Sequence, residues 1–326
     1  MKHRSATART RKRPRRIITT VVAILGAVAV AGAVVFYNKS ADPHPPLPAQ
    51  LPTTPGSYLG AFAHGLPTST TQLNAFASAT GNKFDVVTYY SGWYESFQRQ
   101  FADTAAANGQ VPLVQMNPDG ISVAAIAHGK SDAYLSQYAL AVKAYRGPVI
   151  LSFGHEMNGT WYAWGYTNTD PKVFVAAWRH IVDLFHNFGV KNVTWLWTVN
   201  IINDTKVGKI PSPAPWWPGS RYVTWVGVDG YYLKPNWAFA PLFGPTLSVL
   251  HGLTTDPIII AETGVAESAG QPAKLANLFA GVREYGLLGF VYFNSNSQNS
   301  GAFELSSPAA ITAFRRGAAS YSRPGS

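Results

Sequence analysis

The sequence predicts a (β/α)8 TIM barrel preceded by an N-terminal transmembrane helix and a proline-rich linker. Short runs rich in β-branched and aromatic residues alternate, from Ser57 onward, with amphipathic segments of helical period, the pattern of repeated βα units. Eight units fit residues 57–326, a normal length for that barrel. A content of 47% hydrophobic and 13% aromatic residues supplies one large core, and the absence of a long polar tract argues for one globular domain.

Taken in order, the first strand is expected over 58–63, with a helix near 71–79. Residues 84–90 and 111–116 form the second and third strands, followed by helices near 95–108 and 132–145. The fourth strand, 149–153, ends at the ionisable pair His155-Glu156, and Pro171 opens a helix over 171–188. After the fifth strand, 193–198, residues 201–221 are rich in Pro, Gly and Lys, so no ordinary helix is expected there. Strands over 222–229, 258–261 and 287–293, with helices near 241–250, 274–285 and 309–321, complete the count.

The N-terminal region carries most of the charge. Eight Lys and Arg residues and no acid lie in residues 1–16, against a net charge of +10 for the whole chain. The globular part is nearly neutral, which excludes a basic nucleic-acid groove. Residues 17–37 are an uncharged apolar run, long enough as a helix at ~1.5 Å per residue to cross a ~30 Å hydrocarbon layer. Basic residues before it and only Lys39 just after it orient the barrel outside the cytoplasm. The alternative is a cleaved secretory signal, with Ala29-Val30-Ala31 or Ala31-Gly32-Ala33 as cleavage sequences. Six prolines between residues 40 and 56 make an extended tether. There are no cysteines, which excludes disulfides and thiolate chemistry.

Only two of the six glutamates stand at the C-terminal end of an expected strand: Glu156 after the fourth and Glu262 after the seventh. That end is where a barrel of this class places its active site. Two carboxylates facing across a glycosidic bond are what glycoside hydrolysis requires. Trp161 and Trp164 lie in a loop of small and polar residues, where flat apolar rings suit the C–H face of a sugar. Trp93, Trp197, Trp216, Trp217 and Phe293 are further stacking surfaces, although Trp197 equally suits barrel packing. His64, at the end of the first strand, is a binding residue, and Asp229 caps a turn, bonds backbone amides or helps to hold Glu262. Gly264 is expected to permit the turn behind Glu262.

The run His155-Glu156-Met157-Asn158-Gly159, followed by Trp161-Tyr162-Ala163-Trp164-Gly165, resembles the acid/base motif of glycoside hydrolase family 26, best known as endo-β-1,4-mannanases. Ile260-Ala261-Glu262-Thr263-Gly264 resembles the nucleophile strand of that family. The resemblance implies Glu156 as acid/base, Glu262 as nucleophile, Tyr231 as the hydrogen-bond donor to the nucleophile and His155 on the substrate side of the scissile sugar. One departure concerns the eighth strand, where family members often carry Trp before Phe-Asn and this chain has Tyr292. Other motifs fail: Gly159 stands where a zinc protease needs its second His, and Ala124 where a phosphate loop needs its first Gly.

The expected protein is therefore a retaining endo-β-glycanase acting on a mannan-like polysaccharide, monomeric, needing no metal or cofactor, binding no nucleic acid and held to the membrane outside the cytoplasm. Another β-glycan substrate, or a catalytically silent carbohydrate-binding surface protein, are the alternatives.

Overall fold

The structure, a computed structural model, describes residues 51–321 apart from 206–207, 235 and 298–300. The basic head and the apolar run 17–37 lie outside the described residues, as does most of the linker. Among the described residues no helix is long and apolar enough to cross a membrane.

Eight parallel strands close into a barrel in chain order: β1 (Tyr58–Ala63), β2 (Val86–Gly92), β3 (Val111–Asn117), β4 (Val149–Phe153), β5 (Val193–Asn200), β6 (Trp225–Asp229), β7 (Ile258–Thr263) and β8 (Gly289–Asn294). β8 pairs with β1 in register from Tyr58 opposite Gly289 to Ala63 opposite Asn294, which completes the ring and leaves no exposed edge. Around the barrel run α1 (Thr71–Thr80), α2 (Arg99–Ala107), a short α3 (Val123–Ala127), α4 (Asp132–Tyr145), α5 (Pro171–Asn187), α6 (Phe239–Leu253), α7 (Gln271–Glu284) and α8 (Pro308–Ala319).

Two helix starts show the local cause. Asp170 caps α5 by accepting from Lys172 N at 2.7 Å, with Pro171 in the first turn, and Ser307 caps α8 through Ala310 N. α2 begins later than the sequence suggests because the preceding residues are drawn back to the strand end. The Glu95 carboxylate accepts from Gly92 N at 3.1 Å, and Tyr94 adopts φ +70°. Between β5 and β6 a hairpin of Asn203–Thr205 with Gly208–Ile210, then a 3-10 turn at Ala214–Trp216, stands where other units have a helix.

The strands alternate inward and outward with period two. One set of side chains, including Tyr58, Val86, Leu113, Ile150, Leu196, Trp225, Ile259 and Val291, packs together in the barrel interior. A larger cluster includes Tyr89, Val114, Leu151, Trp197 and Val228 from the outward faces, packed against helix residues such as Phe101, Leu135 and Phe174. Moving up the inward positions leads from Val86 to Thr88 and Tyr90, from Leu113 to Gln115 and Asn117, and from Leu196 to Thr198 and Asn200. The apolar floor thus gives way to polar groups at the C-terminal mouth.

Candidate active site

Glu156 reaches the mouth through a local turn. Beyond β4, Gly154 has φ +56° and Glu156 itself φ +55°, a left-handed conformation that costs a non-glycine residue roughly 1–2 kcal/mol. The strain is held by Glu156 N donating to Thr198 O at 3.0 Å and by Gly159 N donating to Glu156 O at 2.8 Å. Gly154 has no substitute, since a Cβ there would lie 2.9 Å from the Phe174 ring. The double turn brings both His155 and Glu156 toward the barrel axis, which a flat strand would prevent.

Glu262 is aimed by a bulge in β7. Against β6, Val228 faces Ile260 and the next residue, Asp229, faces Glu262; against β8, Phe290 faces Ile260 and Tyr292 faces Thr263. One extra residue in β7 therefore breaks the alternation after Ala261, so that Glu262 points inward where strict period two would send Thr263. Gly264 was expected to supply a turn, but its φ is not left-handed. It is needed because Phe303 packs against it, 2.7 Å from where a Cβ would stand.

The two carboxylates face one cleft of 680 Å³, walled by Tyr90, Asn117, Trp161, Tyr162, Tyr231 and the phenylalanines Phe62 and Phe293. Tyr90 donates to Glu262 Oε1 at 2.5 Å and Tyr231 to Oε2 at 2.9 Å. On Glu156, Trp161 Nε1 donates to Oε2 at 2.7 Å and the Asn200 amide donates to Oε1. Phe62 and Phe293 stack at 4.5 Å and form the aromatic floor, while Tyr292, which replaces the family tryptophan, is fully buried and donates to Phe303 O.

Burial raises the pKa of both carboxyls. For Glu262 the charge of Glu156 raises it further, and the hydrogen bonds from Tyr90 and Tyr231 pull it back; Asn200 and Trp161 act likewise on Glu156. The second proton is the harder to remove, so a single negative charge shared by the pair is the favoured state near neutrality. His155 Nε2 lies 4.0 Å from Glu262 Oε1 and 3.0 Å from the Tyr162 hydroxyl. The contact with Glu262 has the geometry of an ion pair, but burial lowers the imidazole pKa to about 3, so His155 is neutral. At 4.0 Å the neutral ring is beyond hydrogen-bond reach of Glu262, and its Nε2 is bonded to the Tyr162 hydroxyl instead.

A raised carboxyl pKa in the fold favours the protonated state there. The associated stability is full below the ordinary carboxyl pKa of ~4.3 and is lost as pH rises toward the folded value. E262Q is accordingly expected to melt above the wild type at pH 8 and to lose that advantage at pH 4. A gain of ~1 kcal/mol or more corresponds to about 2–4 °C per kcal/mol in a chain of this size. Equal shifts at the two pH values would contradict the burial effect.

The remaining expected residues divide. Trp161 is 47% exposed and stands at the cleft, as do Tyr231 and Phe293. Trp164 does not: it is buried, stacks on Tyr162 at 4.3 Å and donates to His155 O at 2.7 Å, so its ring supports the loop from within. His155 is also buried, under Tyr162 and 4.0 Å from Glu262, and does not itself line the cleft. His64 lines a neighbouring polar pocket with Gln72, Asn294, Asn296 and Glu304. Trp217 is half-buried, edge-on to Trp197 at 5.0 Å, and it does not line the cleft; Trp93 and Trp216 are buried. Asp229 is fully buried at the mouth end of β6, where the backbone of Glu262 acts on its carboxylate through a hydrogen bond. Burial and the charges of Glu262 and Glu156 raise its pKa, and that hydrogen bond lowers it.

Tyr90, Asn200 and Tyr162 were not singled out in the sequence. For the first two the signal was present, since each is the last inward position of its strand that carries a side chain, on the same alternation that places the core. Among the described residues no group of three or more His, Asp or Glu could hold a metal ion.

The family model for glycosyl hydrolase family 26 matches residues 96–244, a segment that holds Glu156, Trp161 and Tyr231. Over 281 residues, 80% of this chain, the sequence is 32% identical to Endoglucanase H of Acetivibrio thermocellus. The chain belongs to glycosyl hydrolase family 26. It is also 23% identical over 137 residues, 40% of its length, to mannan endo-1,4-β-mannosidase A and B of Caldalkalibacillus mannanilyticus. The chain spans less than a third of each of these relatives, 30% and 24% respectively. Among solved structures, a Cellulomonas fimi endo-β-1,4-mannanase double mutant superposes with a TM-score of 0.63 at 19% identity, covering 82% of this chain and 71% of that one. A family 26 β-mannanase from Bacteroides ovatus gives 0.58 at 17% identity, covering 81% and 86%. At these identities the likeness speaks for the barrel fold and not for a substrate.

Proposed function

We propose that the barrel is a retaining endo-β-glycanase that cleaves β-1,4-mannan by double displacement. The observation that carries the reading is the pair Glu156 and Glu262, delivered from opposite sides of the barrel into one aromatic-walled cleft. Glu262, ionised and held by Tyr90 and Tyr231, attacks the anomeric carbon while Glu156 gives its proton to the leaving sugar oxygen. The glycosyl-enzyme has lost the Glu262 charge, so Glu156 ionises more easily and becomes the base for water. No cofactor takes part in this reaction.

A second reading is the same chemistry on a β-glucan. It is favoured by the match to Endoglucanase H, which is higher in identity and spans twice as much of this chain as the match to the mannosidase. Reducing-sugar release by the full chain from β-1,4-mannan, 1,3-1,4-β-glucan and 1,3-β-xylan separates the readings. Release from none of them would favour a carbohydrate-binding surface protein. We further propose that residues 17–37 anchor the enzyme with its barrel outside the cytoplasm, supported by the basic residues before that run. Full-length protein freed by carbonate washing, or a mature N-terminus near Val34, would overturn the anchor.

A further inference from the structure

The tip of β5 is tied to the loop that carries Glu156. Asn158, two residues beyond Glu156 and fully buried, accepts from Asn200 N through Oδ1 at 2.8 Å and donates through Nδ2 to Asn200 O at 2.9 Å and to Pro211 O at 3.2 Å. Its amide has one workable orientation, because a flip would set Oδ1 against two carbonyls and Nδ2 against an N–H. Asn200 is the last residue of β5, opposite Asp229 of β6, and its own amide donates to Glu156 Oε1. We propose that Asn200, held by Asn158, is a positioning residue for the second half of the reaction, fixing Oε1 of Glu156 so that Oε2 alone exchanges protons with the leaving sugar and with water. The proposal rests on the catalytic reading above and adds to it the oxygen and the step.

The two donors on Glu156 differ in how firmly they are held. Trp161, on Oε2, is 47% exposed and lines the cleft, whereas Asn200, on Oε1, is buried and lies outside the cleft wall. Oε2 is therefore the oxygen open to substrate, and the indole beside it is the partner free to turn aside. In the first step the Oε2 proton passes to the glycosidic oxygen as that oxygen leaves the anomeric carbon and Glu262 bonds to it. In the second step the oxygen of water bonds to the anomeric carbon, the bond to Glu262 breaks, and Oε2 takes a proton from that water.

Asn200 opposes the first of these steps and serves the second. A donor to a carboxylate favours its ionised form. Burial raises the Glu156 pKa, and Asn200 is the stronger of the two donors that oppose the rise. Glycosylation starts from the protonated carboxyl and gains nothing from such a donor. Attack by water needs the carboxylate, and needs Oε2 aimed at one water molecule, an alignment that a carboxylate free to rotate would lose. The ionisable groups facing Glu156 are Glu262 of β7, Asp229 of β6, Tyr231 just beyond it, and Tyr162 and the neutral His155 of its own loop. Asn200→Ala leaves all of them in place.

The test uses the full-length protein with two substrates, a dinitrophenyl β-glycoside and the polysaccharide. In Asn200→Ala, kcat on the aryl glycoside is expected to fall about tenfold or more, with a burst of dinitrophenol, because water attack on the glycosyl-enzyme is slowed. kcat/KM on the same substrate, which reports the first step alone, should fall less than about threefold. On the polysaccharide, the basic limb of the kcat/KM profile should move up by about one pH unit, the scale of a hydrogen bond lost from a charged group. Asn158→Ala should shift that limb in the same direction, and the double variant should shift it no further than Asn200→Ala does, because Asn158 acts through Asn200. A basic limb that stays in place, or an aryl glycoside kcat and kcat/KM that fall by the same factor, overturns the proposal. Asn200→Ala keeps the test decisive if Asn158→Ala, at a fully buried position, does not fold. Hydrolysis of neither substrate by the unmodified protein would instead overturn the catalytic reading, and this inference with it.

Discussion

Glu262→Ala is expected to lose turnover on every substrate, by ~10⁴-fold or more, because no other carboxylate takes its place in the cleft. Glu156→Ala should behave differently. On a polysaccharide, whose leaving sugar needs a proton, kcat is expected to drop by ~10²–10⁴-fold. On a dinitrophenyl glycoside the first step needs no acid, so glycosyl-enzyme should still form and accumulate, seen as a burst of dinitrophenol followed by slow turnover. Loss of both activities to the same extent would mean that Glu156 is not the proton donor. The wild-type rate should be bell-shaped in pH, the acid limb reporting ionisation of the first carboxyl of the pair and the basic limb loss of the proton held by the second. Because burial raises both groups, both limbs should lie above the ordinary carboxyl range. Proton NMR of the first-formed product tests the stereochemistry. A retaining mechanism releases the β anomer from a β-linked substrate, and the α anomer would remove Glu262 from the role of nucleophile even if both glutamates proved essential.

Trp164→Ala is expected to unfold the barrel more easily, by ~3–5 kcal/mol, since a fully buried ring is lost. The effect reaches the site as well. The indole N–H of Trp164 holds the His155 carbonyl, and its ring backs both Tyr162 and Gly154, so its removal releases the strained turn that carries Glu156. Trp161→Ala provides the contrast. Its ring is half in solvent, so it should weaken substrate binding and shift the ionisation of Glu156 while leaving the melting temperature within a few degrees. Thermal melts of the two variants side by side distinguish a wall of the cleft from a support beneath it. A loss of several kcal/mol in Trp161→Ala, or none in Trp164→Ala, would reverse the two assignments.

The two tryptophans also mark how far the sequence could be read. Both sit three residues apart in a loop with no hydrophobic period, and nothing in composition or spacing separates them. Their fates diverge because the loop folds back, placing Tyr162 flat on Trp164 and His155 beneath Tyr162. A loop without periodicity carries no sign of which side faces water.

What the chain determined by itself was the barrel and the position of its two acids. Buried runs such as Ile258 to Ala261 repeat at the spacing of βα units, a signal held in local, periodic burial that any folded state of this class must satisfy. The same alternation, carried one step further along β2 and β5, already contained Tyr90 and Asn200. What only the tertiary structure decided were the departures from that period. The left-handed turn at Gly154 and Glu156 and the extra residue in β7 aim the carboxylates into one cleft, and Asn158 ties the turn to the tip of β5. Each of these depends on contacts between segments far apart in the chain, such as Thr198 with Glu156 and Asn158 with Asn200. Local sequence records a residue's preferences, but the partner that overrides a preference is supplied only when distant strands meet.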